Sequence, residues 1–436
     1  MSESIKYPRL MPVGFGAGAL GMSLAFGAVP LLFLFYLTEF AKVPPAVAGV
    51  LLATPKLADM VLDPWIGRRT DAVARRLGSR GALLALGMAA LPLTLVLLFV
   101  PLQAVPLPLR IGLLGALLIA QSLLLTVYTV AHTAIAGDIA DGIEGRSALM
   151  AARAVGQTLA GLTVSVAAPQ LVAAFGANQR GYLGMAVVLA LASLAALTLC
   201  WLSVRRVRIS AGVETGKPEH LLRALGGTLR NRAFYCIAGI LVLLGLSSTA
   251  LLSALPYVNK HLLHVGPDNL SLLLTPLFLT VLLGVSSAPW IARRAPAPAI
   301  LFGALVLALA GIAWLGIGPR SNVSIASGCA LFGLASGVLT VMISTLAIES
   351  ATQFSARGES LGLYLGILFS AEKLGQSLGG VVMGLGLDWV GPLQGEASPL
   401  SLSRLEALWI AAPAFTLAAA LLLLLPLTAR LRAQPA

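Results

Sequence analysis

The chain has little charge and few aromatic side chains. Only 11% of its 436 residues are charged and 6% are aromatic, whereas 58% are hydrophobic. Because a soluble domain carries about 25% charged residues, this composition excludes a soluble globular protein. Apolar runs of roughly 20 residues, each long enough to span a bilayer, recur from end to end, which excludes a soluble enzyme with a single anchor.

The sequence also lacks the common signatures of nucleotide and catalytic sites. It contains no Gly-x4-Gly-Lys-Ser/Thr run and no His-Glu-x-x-His pattern, so we expect neither an ATP-driven pump nor an enzyme. Its three cysteines, Cys200, Cys236 and Cys329, stand singly inside apolar segments, which indicates packing rather than a metal site or a disulfide. We therefore expect no bound cofactor.

Basic residues outnumber acidic ones and give a net charge of +12. They lie in short clusters between the apolar segments, as topology determinants do, so we expect no nucleic-acid partner. With the N-terminus in the cytoplasm, 20 of the 29 Lys and Arg residues lie inside, six lie outside and three lie within the membrane. This split favours cytoplasmic N- and C-termini. The three intramembrane residues are Lys56, Arg153 and Lys373.

Twelve apolar segments are long enough to cross a membrane as helices, and strand-like alternation is absent. A basic stretch at 205–232 divides six segments from six. We therefore expect an all-α membrane protein with helical bundles at 1–204 and 233–436, and a cytoplasmic linker whose later part forms an amphipathic helix on the membrane surface. The predicted spans are 12–38, 45–67, 81–103, 111–136, 148–175, 181–204, 233–257, 270–292, 298–317, 323–348, 360–388 and 405–428.

Two short motifs occur once in each half of the chain. Residues Pro64–Arg69 of the second segment match Pro289–Arg294 of the eighth, and Gly156–Gly161 of the fifth match Gly375–Gly380 of the eleventh. Both pairs link segment n to segment n + 6, which indicates an internal duplication of a six-helix bundle. Duplicated bundles with a site between the repeats are typical of secondary transporters.

Three charged residues lie on one face of the second segment. Asp59 and Asp63 are four residues apart and Lys56 precedes Asp59 by three, so a helix projects all three in one direction. Because each charge costs roughly 2.5–3.5 kcal/mol in a bilayer, we expect this stripe to face the bundle interior and to bind a cation or a proton. The alternative is a Lys–Asp pair that only ties two helices together. The equivalent positions of the second half are uncharged, which places this chemistry in the first half.

This second segment resembles the helix-two signature of the glycoside–pentoside–hexuronide:cation symporters, the melibiose-permease family of the major facilitator superfamily. The spacing of Asp59, Asp63, Pro64, Gly67 and Asp71 carries the resemblance. Weaker matches lie in both halves, at Phe35–Glu39, Glu144–Arg153, Gly362–Tyr364 and Lys373–Gly375.

The resemblance implies twelve helices in two pseudo-symmetric bundles, the major facilitator fold, and cation-coupled symport by alternating access. It implies that Asp59 and Asp63 bind the coupling Na⁺ or H⁺, with Lys56 and Lys373 in the surrounding charge network. It also implies that Arg153 helps to hold the substrate, although this arginine could instead pair with a carboxylate. A basic loop resembles the superfamily's cytoplasmic gate, and its gate residues are Gly67, Arg68, Asp71 and Arg80. The alternative is that this loop serves only to determine topology.

Several candidate site residues depart from the family's pattern or keep an alternative. Ser23 stands where the family has a substrate-binding aspartate, Thr129 where it has an Asp or Asn near the cation, and His132 where it has an aromatic residue. His132 is either a proton relay or substrate donor, or a structural histidine. Three tyrosines lie on helices that line the cavity in this architecture, with packing as the alternative for each: Tyr36, Tyr128 and Tyr364.

We expect a multi-pass protein of the bacterial inner membrane, a monomer in contact with lipid, that symports a small solute with Na⁺ or H⁺. A sugar or glycoside is the substrate that the resemblance implies. Because two carboxylates of the family's sites are missing, an amphiphile such as a lysolipid is the alternative substrate. A membrane scaffold or sensor that transports nothing is the alternative of a different class.

Overall fold

The computed structural model describes residues 11–139, 143–205, 207, 232–355, 361–393 and 397–432. Within these ranges the protein is all-helical and contains twelve long helices, as the apolar segments predict. They are α1 Met11–Ala28, α2 Pro45–Leu77, α3 Gly81–Leu98, α4 Leu107–Ile139, α5 Ile143–Ala174, α6 Gln179–Val204, α7 Arg232–Tyr257, α8 Leu270–Ala292, α9 Ala297–Ile317, α10 Asn322–Ser355, α11 Leu361–Val390 and α12 Pro399–Arg432.

Most of these helices can cross a membrane. Ten of them contain, within their described residues, a stretch whose length and apolar composition suit a membrane span. The two other long helices are α2 and α11, which carry the predicted charge network of Lys56, Asp59, Asp63 and Lys373. The protein is therefore a multi-pass membrane protein.

The chain divides into two compact units. One comprises Met1–Val43 and Thr54–Thr215, and the other comprises Pro44–Ala53 and Gly216–Ala436. The predicted linker at 205–232, with its amphipathic helix, lies almost entirely outside the described residues, so the predicted bundle limits stay predictions.

The two units repeat the same packing order. In the first, α1 packs against α5 and α6, and α3 packs against α4 and α6. In the second, α7 packs against α11 and α12, and α9 packs against α10 and α12. Each of these four pairs of the second unit follows from a pair of the first by adding six to both helix numbers, as an internal duplication requires.

The repeated glycine motif marks a close contact between helix backbones in each unit. A Cβ atom added at Gly156 of α5 would lie 2.2 Å from the Gly16 carbonyl oxygen of α1. A Cβ atom added at Gly375 of α11 would lie 2.1 Å from the Val242 carbonyl oxygen of α7. Since only glycine allows backbones to approach this closely, the motif is explained by helix packing.

Helices α1 and α7 end in the same way. α1 continues into π-helical turns at Val29–Phe33 and Tyr36–Phe40, and α7 continues into one at Val258–Leu262. Two residues after each final π turn, Lys42 and His264 have positive φ angles of 55° and 54°. Equivalent backbone hydrogen bonds close the two ends: Ala41 to Tyr36, Val43 to Leu37, Leu263 to Val258 and Val265 to Asn259.

The basic stretch after the second apolar segment is helical, and the predicted loop between Arg68 and Arg80 is wrong. α2 continues to Leu77, and only Gly78–Arg80 connect it to α3. The Arg, Ala and Leu residues of this stretch are good helix formers, which extends α2 beyond the apolar segment. Gly78, with a φ of 67°, ends the helix in the left-handed conformation that glycine favours.

Candidate cation and substrate site

A buried carboxylate of α2 is held by a hydroxyl of α4. Ser122 Oγ donates a hydrogen bond of 2.6 Å to Asp59 Oδ2. Both side chains are buried, with 7% of Asp59 and 6% of Ser122 exposed. The next residue of α4 towards its N-terminus, Gln121, donates from Nε2 to the Ala25 carbonyl of α1 and so fixes α4 against α1. The structure therefore places Asp59 inside the bundle, in contact with an oxygen ligand from a second helix.

The other charged residues of the predicted network lie on α2 and α11. α2 carries Lys56, which is half-buried, and Asp63, whose side chain lies outside the described residues. Lys373 is half-buried on α11 of the second unit, and its carbonyl accepts a hydrogen bond of 2.8 Å from Ser377 Oγ. The grouping of Lys373 with the two aspartates stays a prediction.

The oxygen beside Asp59 comes from Ser122 rather than from the predicted Thr129. Thr129 follows Ser122 by seven residues, which is about 10 Å along α4. Its hydroxyl donates to Met22 Sδ of α1 at 3.6 Å. The structure therefore does not bring Thr129 to Asp59. Ser23, beside Met22, is half-buried on the same part of α1.

Arg153 of α5 contacts Thr133, which lies one turn after Thr129 on α4. Its Nη1 donates a hydrogen bond of 2.8 Å to Thr133 Oγ1, and Thr133 in turn donates to the Thr129 carbonyl at 2.7 Å. The Nε atom of Arg153 is buried and has no hydrogen-bond partner among the described residues. Within the described chain, Arg153 forms no ion pair with a carboxylate, so the predicted alternative of a structural pair finds no partner there.

His132 is fully buried between two aromatic rings. Its ring stacks on Phe15 at 4.0 Å and on Tyr128 at 5.6 Å between centroids. Its Nε2 lies 2.9 Å from the Phe15 carbonyl oxygen, so this nitrogen carries the proton and donates. A Cβ atom at Gly18 would lie within 2.9 Å of His132 and Tyr128, so glycine lets α1 pack against both rings. This is the environment of a structural histidine, and contact of His132 or Tyr128 with substrate stays a prediction.

Tyr36 lies in an aromatic cluster at the π-helical end of α1. Its hydroxyl donates to the Phe99 carbonyl at 3.1 Å, and its ring contacts Phe33, Phe99 and Tyr182. This environment matches the packing alternative, and its substrate contact stays a prediction. The side chain of Tyr364, the third predicted tyrosine, lies outside the described residues.

One predicted gate residue forms an ion pair inside the first unit. Arg80 Nε donates to Asp138 Oδ2 at 2.9 Å, with 11% and 4% of the two side chains exposed. This pair joins the beginning of α3 to the end of α4. The side chains of the other predicted gate residues lie outside the described residues: Gly67, Arg68 and Asp71.

Sequence reasoning missed Ser122 and Asp138. A signal existed for each of them. Gln121 and Ser122 are adjacent polar residues in an otherwise apolar run, and such residues indicate an interior face. Asp138 is the only acidic residue of α4. It lies near the end of this helix, on the side of the membrane where the predicted topology also places the basic stretch of α2. Neither signal names a partner, because the partner lies on another helix.

The helical region as a whole matches a known family. Residues 14–428 match the family described as MFS/sugar transport protein. The chain belongs to this family. It is 22% identical over 415 residues to the isoprimeverose transporter of Lactiplantibacillus pentosus, across 92% of this chain and 85% of that protein. It is 24% identical over 392 residues to the glucuronide carrier protein homolog of Escherichia coli K12, across 85% of this chain and 81% of that protein.

Solved transporters share the fold. A bacterial homolog of the human lysosomal transporter Spinster superposes with a TM-score of 0.70 and 14% identity, covering 98% of this chain and 96% of that one. The nucleoside transporter NupG superposes with a TM-score of 0.70 and 12% identity, covering 96% and 98%. At these identities the likeness establishes the major facilitator fold alone.

Family membership confirms the main predictions made from the sequence. The resemblance to the glycoside–pentoside–hexuronide:cation symporters is confirmed, as is the prediction of a transporter rather than an enzyme. This MFS sugar transporter is a secondary transporter that couples a sugar-like solute to a cation. The roles of individual residues stay predictions.

Proposed function

We propose that Asp59 is the residue through which Na⁺ or H⁺ drives transport of the sugar in this protein, with Ser122 as its neighbouring ligand. The observation that carries this proposal is the buried hydrogen bond from Ser122 to Asp59. Carboxylate and hydroxyl oxygens are the hard ligands that small cations prefer. Asp63 follows Asp59 by four residues on α2, and we propose it as the second carboxylate of the site.

The proposed coupling mechanism follows from the negative charge of Asp59 and Asp63. Without the ion, the two carboxylates keep their negative charge, and a closed apolar environment is costly for that charge. Binding of Na⁺ or H⁺ neutralises them, and substrate then stabilises the same closed state. Since both ligands favour one state, each raises the affinity for the other, and alternating access carries them across together.

Arg153 favours a substrate with an acidic group. α5 packs against α1, α4 and α6. Helices α1 and α6 contain no acidic residue, and the one acid of α4, Asp138, pairs with Arg80. The acid of α5 itself, Glu144, precedes Arg153 by nine residues, about 14 Å along the helix. Among the described residues, this half-buried guanidinium forms no ion pair with a carboxylate. Because a guanidinium binds a carboxylate well, we propose a sugar acid over a neutral sugar. The name of the glucuronide carrier homolog is consistent with this choice.

We also propose the surroundings in which the transporter works. The distribution of Lys and Arg supports cytoplasmic N- and C-termini in a bacterial inner membrane. The proposed working unit is a monomer in contact with lipid. No cofactor is proposed apart from the coupling ion.

Uptake into proteoliposomes tests the ion site. Asp59→Asn should lower uptake driven by a Na⁺ or H⁺ gradient by roughly 5–150-fold, which is the usual size of a coupling between two ligands. Asp63→Asn should act in the same direction. The matched control is Asp388→Asn, which removes a carboxylate exposed on α11 and should leave uptake unchanged. Gradient-driven uptake that survives both Asp59→Asn and Asp63→Asn contradicts the proposed site.

The same assay tests the substrate with methyl β-glucuronide, methyl β-glucoside and a lysolipid. We expect the glucuronide to be taken up, and Arg153→Gln to weaken its binding on the order of a hundredfold, as removal of one partner from a buried charge pair does. Arg180→Gln removes an exposed arginine of α6 and serves as the control. Preference for the glucoside overturns the acidic substrate, and preference for the lysolipid overturns the sugar class.

A further inference from the structure

The best-retained repeat of the chain lies at an exposed surface. Pro64–Arg69 and Pro289–Arg294 differ at one position only, Gly67 against Ala292. A few residues earlier in the same two helices, the charges of the ion site are present in one half and absent from the other. Retention of the hexapeptide therefore needs a reason that applies to both halves.

In both copies the structure stacks an arginine on a tryptophan. Arg69 Cζ lies 5.1 Å from the centroid of the Trp65 ring, and Arg294 Cζ lies 3.6 Å from that of Trp290. The tryptophans are 53% and 55% exposed, so neither ring is buried in its own unit. We name the pairs Trp65/Arg69 and Trp290/Arg294 the stacked pairs.

Stacking leaves the hydrogen-bonding edge of each guanidinium available. A guanidinium that stacks on an indole ring by its face keeps its N–H donors at its edge, and these donors form a fork that fits two phosphate oxygens. Within the described chain, neither Arg69 nor Arg294 forms an ion pair with a carboxylate. The exposed Arg293 adds a further positive charge beside the second pair. The stacked pairs therefore present an apolar ring and an open cation side by side.

We infer that each stacked pair binds the headgroup of an anionic phospholipid. Both pairs lie where an apolar stretch of the chain gives way to an arginine cluster, the position at which tryptophan meets lipid headgroups. The cytoplasmic leaflet is the anionic one, and the distribution of Lys and Arg puts both clusters on that side. The membrane is the partner that both halves share, which explains why this motif outlasted the divergence of the ion site.

Native mass spectrometry of the purified full-length protein tests this inference with phosphatidylglycerol, phosphatidylcholine and inorganic phosphate as probes. Wild-type protein should retain phosphatidylglycerol in preference to phosphatidylcholine at two sites. Arg69→Gln and Arg294→Gln should each lower that preference by about fivefold, which is the contribution of one basic residue near an anionic membrane. The double variant should lose both sites.

The control is Arg404→Gln, which removes an arginine that lies 5.2 Å from the Trp389 ring centroid. Arg404 Nη1 already donates to the Trp389 carbonyl at 3.1 Å, so this variant should retain phosphatidylglycerol as the wild type does. Equal retention of phosphatidylcholine, or unchanged retention of phosphatidylglycerol in the double variant, overturns the inference. Equal competition by inorganic phosphate overturns the assignment to lipid. The thermal unfolding midpoint of each variant without added lipid checks that it is folded.

Discussion

At the scale of single residues, the hydroxyl of Ser122 has the clearest chemical role. Through this hydroxyl α4 reaches the carboxylate of Asp59, and both groups are buried. Gln121 beside it fixes α4 against α1 through the Ala25 carbonyl, so the hydroxyl has little freedom to leave. The sequence predicts Asp59 because a charge in an apolar run is costly. It does not predict Ser122, because an uncharged hydroxyl in a helix can bond to its own backbone and needs no partner.

Replacement of Ser122 by alanine should raise the cation concentration needed for half-maximal uptake by about tenfold, because a hydrogen bond to a charged group is lost from the site. Ser122→Thr keeps the hydroxyl and should keep the affinity. The control is Ser193→Ala, which removes a buried hydroxyl of α6 that donates to the Gly21 carbonyl of α1 at 2.7 Å. Ser193→Ala should lower the unfolding midpoint without changing the cation dependence. An unchanged cation dependence in Ser122→Ala would show that Ser122 only positions α4.

At the scale of elements, glycines decide which helices touch. The sequence shows that Gly156 and Gly375 are equivalent, but it does not show what they face. The structure supplies the reason, since each lies where its helix meets the backbone of the first helix of its unit.

The helix ends were harder to predict than the spans. Arg68–Leu77 continues α2 because its residues favour a helix, although they are too polar for the bilayer.

Gly156→Ala should lower the thermal unfolding midpoint. Its Cβ would lie 2.2 Å from the Gly16 carbonyl, so α1 and α5 must separate, at a cost of about 1–3 kcal/mol. Gly112→Ala is the matched control in the same unit, because a Cβ there meets nothing within 4 Å. It should raise the midpoint, since alanine in a helix is favoured over glycine by about 0.5–1 kcal/mol. A rise of the midpoint in both variants would show that α1 and α5 can separate freely.

At the scale of the whole molecule, composition and duplication predict most of the fold. The twelve helices follow from apolar length, and the packing that the two units share follows from the repeated motifs. The division six and six stays a prediction. The site is predicted less completely, because a site depends on contacts between helices. The aspartates and Arg153 are visible as charges in apolar runs, whereas the rings that enclose His132 are visible only once α1 and α4 are packed.

The proposed orientation predicts which surfaces a membrane-impermeant maleimide reaches in intact cells. Arg180→Cys, on an exposed residue at the start of α6, should be labelled from outside. Arg76→Cys, on an exposed residue near the end of α2, should be labelled only after the cells are opened. The natural cysteines give little background, because Cys200 and Cys329 are buried and Cys236 is half-buried. The reverse pattern of labelling would invert the topology.

The shared ending of α1 and α7 bears on the common origin of the two units. A π turn, a left-handed residue two positions later and the same pair of closing hydrogen bonds occur in both units, at residues with little sequence in common. A geometry this particular, together with the repeated motifs, indicates that both units descend from one ancestral bundle. The acidic stripe occurs in one unit only, so the two copies diverged in charge while they kept the same backbone.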